Sequence, residues 1–214
     1  MKLKPNEKLL FIGDSITDSG RRDPDHAPFG CGYVNWFRNL LLVRHPELPV
    51  TILNRGIGGD TAEDLASRWV DDVLVERPDW LVVKIGINDV NRHITDPEKN
   101  ALQAPDRHRA YLRDCLERSR EALPQVKLVL VTPFFLSRDD SGNYRGRVRA
   151  ALADYQENVR QLAGEFDATL IDSQTAFEAA LEHLPPSAFS HDMVHLNEVG
   201  VLLLAETVYT ALSE

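Results

Sequence analysis

The chain has 214 residues, 43% of them hydrophobic, which suits one compact domain spanning 1–214 without a linker or low-complexity tract. It carries 24 Lys and Arg against 33 Asp and Glu, a formal net charge of −9. This negative charge disfavours nucleic acid or a stable association with an anionic membrane surface, and it favours a neutral small-molecule substrate.

Short apolar runs predict five buried strands, and stretches of helical periodicity between them predict five helices. The predicted strands are 9–13, 50–56, 80–86, 126–133 and 168–173. The predicted helices are 33–44, 61–76, 106–123, 146–166 and 197–212, the second opening on TAED, which resembles a capping box. Alternating strands and helices imply a parallel sheet covered on both faces, so a three-layer α/β/α sandwich is expected.

In such a sheet, ligands bind outside the carboxyl ends of the strands, and four short motifs lie there or before the last helix. GDS contains Ser15, GIGGD contains Gly59, GIND contains Asn88, and HDMVH contains His195. Each motif alone is typical of an ordinary turn or helix cap. Their combination needs a chemical explanation.

The first and last of these motifs contain the three residues that a proton relay for acyl transfer needs. Ser15, at a strand-to-helix turn, is the candidate nucleophile, but a serine hydroxyl needs a base to take its proton. His195 is a suitable base because imidazole titrates near pH ~6.5. Asp192 lies three residues earlier, so one tight turn can bring its carboxylate to the imidazole Nδ1. The predicted catalytic residues are therefore Ser15, Asp192 and His195.

A tetrahedral intermediate also needs hydrogen-bond donors for its oxyanion. The backbone N–H of Gly59 suits this task because a glycine allows close approach, and the side-chain amide of Asn88 is a second donor. The N–H of Ser15 is a third. These residues complete a predicted oxyanion hole.

The four motifs, in this order over nearly the whole chain, resemble those of the SGNH hydrolases, also called the GDSL esterase family. The resemblance implies a flavodoxin-like fold, Ser15 as nucleophile, Gly59 and Asn88 as oxyanion donors, and no metal or cofactor. One departure is visible, because many members carry proline after the catalytic histidine, whereas this chain has Leu196.

Longer phrases, GDSITDSGR, NRGIGGDTAEDLASRW, IGINDV and VTPFF, resemble the bacterial acetylxylan esterase branch of this family. That resemblance implies a cytoplasmic homo-oligomer that removes acetyl groups from xylo-oligosaccharides. Asp14, Phe134, His191 and Val194 are the candidate substrate contacts, with helix capping as the alternative for Asp14 and capping of the turn as the alternative for His191. The branch commonly has an aromatic residue before the catalytic acid, where this chain has His191.

Two features of the sequence also resemble sites of other functional classes. His191 and His195 have the spacing of zinc ligands, but the H-E-x-x-H motif requires glutamate where this chain has Asp192. Gly56, Gly58 and Gly59 resemble a dinucleotide-binding fingerprint, but the motif G-x-G-x-x-G requires a third glycine where this chain has Thr61. Within the esterase class, a broad-specificity short-chain esterase or lysophospholipase stays open as the alternative.

Several further features leave alternatives open. Cys31 and Cys115 form no CxxC pair, so neither a disulfide framework nor a structural zinc site is indicated, and a reducing cytoplasm is expected. Trp36 and Trp69 fall in predicted helices, where core packing is favoured over substrate stacking. The polar segment 133–147 is expected either to border the substrate pocket or to carry an oligomer contact.

Overall fold

The computed structural model describes residues 1–213, and at its centre is a five-stranded parallel sheet. The strands are β1 Lys8–Gly13, β2 Thr51–Gly56, β3 Trp80–Lys84, β4 Lys127–Val131 and β5 Thr169–Ile171. Their order across the sheet is β2-β1-β3-β4-β5, which is the flavodoxin-like arrangement. The predicted fold class is confirmed, and all five predicted strands are present: β1 begins one residue earlier than predicted, and the other four are slightly shorter.

Among residues 1–213, eight α-helices surround the sheet. They are α1 Ser15–Asp18, α2 Tyr33–Arg44, α3 Ala62–Ser67, α4 Ile87–Thr95, α5 Pro105–Ala122, α6 Tyr144–Glu165, α7 Ser173–Leu181 and α8 Glu198–Ser213. No helix within residues 1–213 is both long and apolar enough to cross a membrane.

The core forms on both faces of the sheet because successive strand side chains point to opposite sides. Leu9 and Phe11 of β1 pack in one apolar cluster with side chains of α2, α7 and α8. Leu10 and Ile12 pack in the other, with side chains of α3, α5 and α6. These two clusters account for the three layers, and they leave the carboxyl edge of the sheet free for the site.

Three helical features differ from the sequence expectation. The predicted helix 61–76 ends at Ser67 and is followed by a π-helical turn, Val70–Leu74. The interruption falls at Arg68, whose Nε donates a hydrogen bond to Oδ2 of Asp60 at 2.7 Å. The helices α4 and α7 were not predicted, and each begins at or directly after the end of a predicted strand. The expected capping box is present, with Thr61 and Asp64 bonded to each other.

Two glycines bring the turn after β1 against its neighbouring strands. A Cβ on Gly13 would lie 2.1 Å from the carbonyl oxygen of Lys84, and one on Gly56 would lie 2.1 Å from the backbone nitrogen of Asp18. No larger residue fits at either place, so both positions need glycine for the turn to pack this closely. The strands β1, β2 and β3 end at one level, with Gly13 aligned to both Gly56 and Lys84. The loops that follow these strands therefore meet.

Candidate active site

The turn that carries Ser15 is fixed by the residue before it. Asp14 caps the short helix α1, with its Oδ1 accepting a hydrogen bond from the N–H of Ile16 at 3.0 Å. Ser15 is the first residue of that helix and is partly exposed. This local structure holds the hydroxyl at the carboxyl edge of the sheet. The hydroxyl lies near the boundary between β1 and β3, where the strand order reverses and where doubly wound sheets bind ligands.

A continuous hydrogen-bonded relay joins Ser15 to residues near the other end of the chain. The Ser15 Oγ lies 3.0 Å from Nε2 of His195, and Nδ1 of the same ring lies 2.6 Å from Oδ2 of Asp192. With Nδ1 protonated and bonded to the carboxylate, Nε2 is left as an acceptor for the serine proton. The structure thus brings together the three residues predicted as catalytic.

The carboxylate of Asp192 is held by its own turn. Its Oδ1 accepts hydrogen bonds from the N–H groups of Val194 at 3.0 Å and His195 at 2.7 Å. Partial burial alone would raise the pKa of Asp192, but the bonds from the His195 ring and from these two N–H groups outweigh it and lower the pKa to about 2. Asp192 is therefore ionised at every pH at which an esterase works.

The same turn explains how Leu196 replaces the expected proline. Met193 adopts a left-handed φ of 77°, and its carbonyl accepts the N–H of Leu136 at 3.0 Å. Leu196 pairs with Ser190 in an antiparallel bridge, and the Ser190 hydroxyl donates to the His195 carbonyl at 2.7 Å. These pairings set the turn without a proline.

Gly59 presents a free backbone donor beside the nucleophile. It has a left-handed φ of 86°, and its N–H has no hydrogen-bond partner among residues 1–213. Its carbonyl is anchored by Arg92 at 2.8 Å. The preceding Gly58 lies so near that its Cβ, if present, would be 3.9 Å from the Cβ of Ser15. The Gly-rich loop after β2 therefore lies against the Ser15 turn.

Asn88, at the start of α4, has its amide oriented by the same loop. Its Nδ2 donates one hydrogen to the carbonyl of Asp60 at 2.9 Å, which leaves the second hydrogen available to a ligand. The Asp60 carboxylate is held in turn by Arg68. The ends of β1, β2 and β3 thus supply Ser15, Gly59 and Asn88, the three predicted oxyanion donors, to one edge.

Beneath these groups lie three ionisable side chains that are almost fully buried, Asp14, Lys84 and Asp89, which we call the buried ionisable cluster. The ammonium of Lys84 lies 4.6 Å from the centroid of the Phe134 ring. Burial lowers the pKa of Lys84, and the nearby Asp14 carboxylate opposes that shift. Sequence reasoning missed Lys84, and its one signal was a lysine inside the apolar strand WLVVK.

Asp89 is the third member of the cluster and bridges α4 to α3. Its two carboxylate oxygens lie 3.1 and 3.2 Å from the N–H of Ala62, the first residue of α3. Burial raises the pKa of Asp89 to about 8, although the bond from Ala62 acts in the opposite direction. This carboxyl is neutral near pH 7, in contrast to Asp192.

Two predicted substrate contacts are corrected by these positions. Asp14 is 0% exposed and Phe134 is 1% exposed, so both lie below the site rather than on its surface. Asp14 acts as the cap of α1, and Phe134 packs against Phe177 with ring centroids 4.7 Å apart. Of the other two, His191 is exposed, and Val194 is partly buried against the apolar core.

A serine, histidine and aspartate relay at the carboxyl edge of a doubly wound parallel sheet defines the class of serine hydrolases with α/β architecture. Comparison with known proteins narrows this class. Residues 11–202 match the model of the GDSL-like Lipase/Acylhydrolase family, and the chain belongs to that family. It is accordingly a serine hydrolase of carboxylic esters.

Individual relatives cover nearly the whole chain. An acetylxylan esterase from Geobacillus stearothermophilus is 39% identical over 213 residues, which span 96% of this chain and 93% of the relative. The crystal structure of an acetylxylan esterase from that organism superposes with a TM-score of 0.90 at 34% identity, covering 100% of this chain and 97% of the other. A hydrolase from the metagenome of Lake Arreo, Spain, has a TM-score of 0.90 at 30% identity, covering 100% and 98%.

Proposed function

We propose that this chain removes acetyl groups from acetylated xylo-oligosaccharides, with Ser15 as the nucleophile. The observation that carries the proposal is the unbroken relay from Ser15 Oγ through the His195 ring to Asp192, at 3.0 and 2.6 Å. These are the distances at which a serine proton passes to a base that is already oriented.

In the acylation half of the reaction, the Ser15 oxygen attacks the acetyl carbonyl while Nε2 of His195 takes the hydroxyl proton. The carbonyl oxygen becomes an oxyanion that accepts hydrogen bonds from the N–H groups of Ser15 and Gly59 and from the Asn88 amide. As the ester bond breaks, the imidazolium returns the proton to the sugar oxygen. The sugar leaves as an alcohol, and the acetyl group remains on Ser15.

In the deacylation half, a water molecule replaces the sugar. His195 takes one proton from the water as its oxygen attacks the acetyl-enzyme, and the same donors hold the second oxyanion. The imidazolium then protonates Ser15 as acetate leaves, which restores the starting state. Asp192, ionised throughout, stabilises the imidazolium in both halves. The chemistry uses no metal or cofactor.

The proposed substrate is supported by the relatives. The Geobacillus relative is named an acetylxylan esterase, and a structure of it is described as that of an acetyl-xylooligosaccharide esterase. Structures of that enzyme described as catalytic mutants carry alanine in place of one serine, one aspartate and one histidine. These are the residue types that form the relay in this chain.

A cytoplasmic location and a homo-oligomeric assembly are part of the proposal. The location is supported by the two unpaired cysteines, one exposed and one buried, which suit a reducing compartment. The assembly is supported by the resemblance to the acetylxylan esterase branch. Size-exclusion chromatography with light scattering measures the assembly directly, and a monomer at micromolar concentration would contradict it.

A substrate panel tests the proposed function. Wild type and Ser15→Ala are compared on acetylated xylo-oligosaccharides and on aryl esters of acetate, butyrate and octanoate, with acetate release and phenol release as readouts. We expect wild type to deacetylate the saccharide and to prefer acetate among the aryl esters, and Ser15→Ala to be inactive on all. A preference for octanoate would instead favour a broad esterase or lysophospholipase.

A further inference from the structure

A large cavity lies next to the nucleophile. It has a volume of about 690 Å³, within the range of roughly 300–1,000 Å³ typical of small-molecule sites. Trp36 and Asn35 of α2 border it on one side, and His191 borders it from the turn before α8. None of these residues except His191 was predicted to meet a substrate.

The cavity adjoins the narrow pocket over Ser15. That pocket is lined by Ser15 and His195, and it shares three wall residues with the cavity, Ser19, Leu196 and Val201. A group attached to the reacting ester can therefore extend from the narrow pocket into the cavity.

The geometry of the reaction decides which part of the ester extends there. The leaving oxygen must receive its proton from His195, so the leaving group lies on the His195 side of Ser15. Leu196, the residue after His195, borders both spaces, whereas Gly59 and Asn88 border neither. The cavity is thus on the side of the leaving alcohol, away from the oxyanion donors.

Trp36 differs from the other two tryptophans of the chain. The indole N–H of Trp69 donates to the Ser119 hydroxyl at 2.9 Å, and that of Trp80 donates to the Glu7 carboxylate at 2.7 Å. Among residues 1–213 the Trp36 indole N–H has no such partner, and its side chain is only partly buried. A buried tryptophan N–H normally finds a partner. Trp36 therefore offers both an apolar ring and an unused hydrogen-bond donor to a ligand in the cavity.

The polar side chains around Trp36 are also unused by the fold. Within the described residues, neither the Asn35 amide nor the His191 imidazole makes a side-chain hydrogen bond. Amide and imidazole groups both donate and accept, which suits the hydroxyl groups of a neutral sugar. The Glu198 carboxylate also borders the cavity and would repel a phosphate group, so a phospholipid head group fits poorly.

We infer that this cavity is the subsite for the saccharide leaving group, with Trp36 as the stacking platform and Asn35 and His191 as hydrogen-bonding partners. The inference rests on the proposed function and adds to it the residues that recognise the sugar. Trp36 is a specificity residue, because it contacts the alcohol part of the ester and takes no part in the proton relay.

Selectivity between two acetyl esters tests the subsite. The kcat/KM for an acetylated xylo-oligosaccharide is divided by that for methyl acetate, whose leaving group is too small to occupy the cavity. We expect Trp36→Leu to lower this ratio by about tenfold through the saccharide alone. Trp36→Phe keeps an aromatic face and should retain most of the ratio. Leu42→Ala, at an exposed position of the same helix outside the cavity, should leave it unchanged.

Product binding gives a second readout that does not depend on acetyl transfer. Xylotriose without acetyl groups should inhibit 4-nitrophenyl acetate hydrolysis competitively in wild type, and more weakly in Trp36→Leu and Asn35→Ala. Retained methyl acetate turnover shows that each variant is folded, and Asn35→Ala replaces Trp36→Leu if the latter is not.

The outcomes separate the two hypotheses. Wild type that hydrolyses the aryl acetate but not the saccharide overturns the proposed function. Wild type that hydrolyses both, with selectivity and xylotriose inhibition unchanged in the Trp36 and Asn35 variants, overturns the subsite and leaves the proposed function intact.

Discussion

Asp192 and Asp89 carry the same side chain, yet the first has 53% of it exposed beside His195 and the second is fully buried at the start of α4. Three N–H donors surround Asp192 and lower its pKa to about 2, whereas burial raises the pKa of Asp89 to about 8. Hydrogen bonds thus decide the charge of the exposed carboxyl, and burial decides that of the other. We expect the exposed relay to control turnover and the buried ionisable cluster to control stability.

Replacement of the nucleophile should have the largest effect on turnover. Ser15→Ala is expected to lower kcat by about a million-fold, because the remaining relay residues cannot act without the nucleophile. The only side-chain hydrogen bond of Ser15 among the described residues is to His195, so the fold should not change. Steady-state kinetics and the thermal unfolding midpoint measure the two effects. A loss of activity that accompanied unfolding would count against a purely chemical role.

Neutralising Asp192 should have the next largest effect on turnover. In Asp192→Asn the amide nitrogen can donate to Nδ1, which favours the wrong histidine tautomer, and kcat should fall by about ten-thousand-fold. KM should change little, because Asp192 acts on His195 and not on the substrate. The measurement is kcat and KM on an aryl acetate. A loss smaller than tenfold would contradict the role given to Asp192.

Removal of one oxyanion donor should cost less. Asn88→Ala is expected to lower kcat by about 100- to 1,000-fold with little change in KM, because the oxyanion exists only in the transition state and intermediate. Asn91→Ala is the matched control, since Asn91 lies on the same helix and its side chain accepts a bond from Tyr144 instead. An equal effect of both substitutions would point to a general disturbance of α4.

The buried ionisable cluster should respond through stability and its dependence on pH. Asp89 ionises in the unfolded chain near pH ~4 but keeps its proton in the folded chain up to about pH 8. Between these values the folded state binds more protons, so this residue makes the free energy of unfolding fall as pH rises. Asp89→Asn removes that slope and should become progressively more stable relative to wild type from pH 4 to pH 8.

Urea unfolding at several pH values measures this difference. Asp106→Asn, at an exposed position near the start of α5, serves as the control and should follow wild type throughout. A constant difference between Asp89→Asn and wild type from pH 4 to pH 8 would show that burial does not hold this carboxyl neutral.

The exposed half of the site was the easier half to predict from sequence. Ser15, Gly59, Asn88 and His195 follow apolar runs or lie near the last helix, and parallel strands collect their ends at one edge, so motif order alone brought them together. The structure supplied the distances, and it replaced the expected proline turn with the pairing of Leu196 and Ser190.

The buried half could not be predicted in the same way. A lysine at the end of an apolar strand, such as Lys84, is typical of a solvent-facing residue until the packing of Phe134 over it is known. Asp14 was a candidate both for a substrate contact and for a helix cap, and only the structure shows that its side chain turns inward as the cap of α1. Trp36 was assigned to the core because helical periodicity does not show which face borders a cavity. The environments of these three side chains depend on tertiary contacts that local sequence patterns do not encode.

Covalent labelling is the most direct test of the central claim that Ser15 is the nucleophile of an exposed relay. The protein is treated with a fluorophosphonate, and residual esterase activity and labelled peptides are followed together by kinetics and mass spectrometry. The account predicts one label per chain, on Ser15, with activity lost in proportion to labelling and no labelling of Ser15→Ala. Full activity in the labelled protein, or a label on another serine that accounts for the loss, would contradict it.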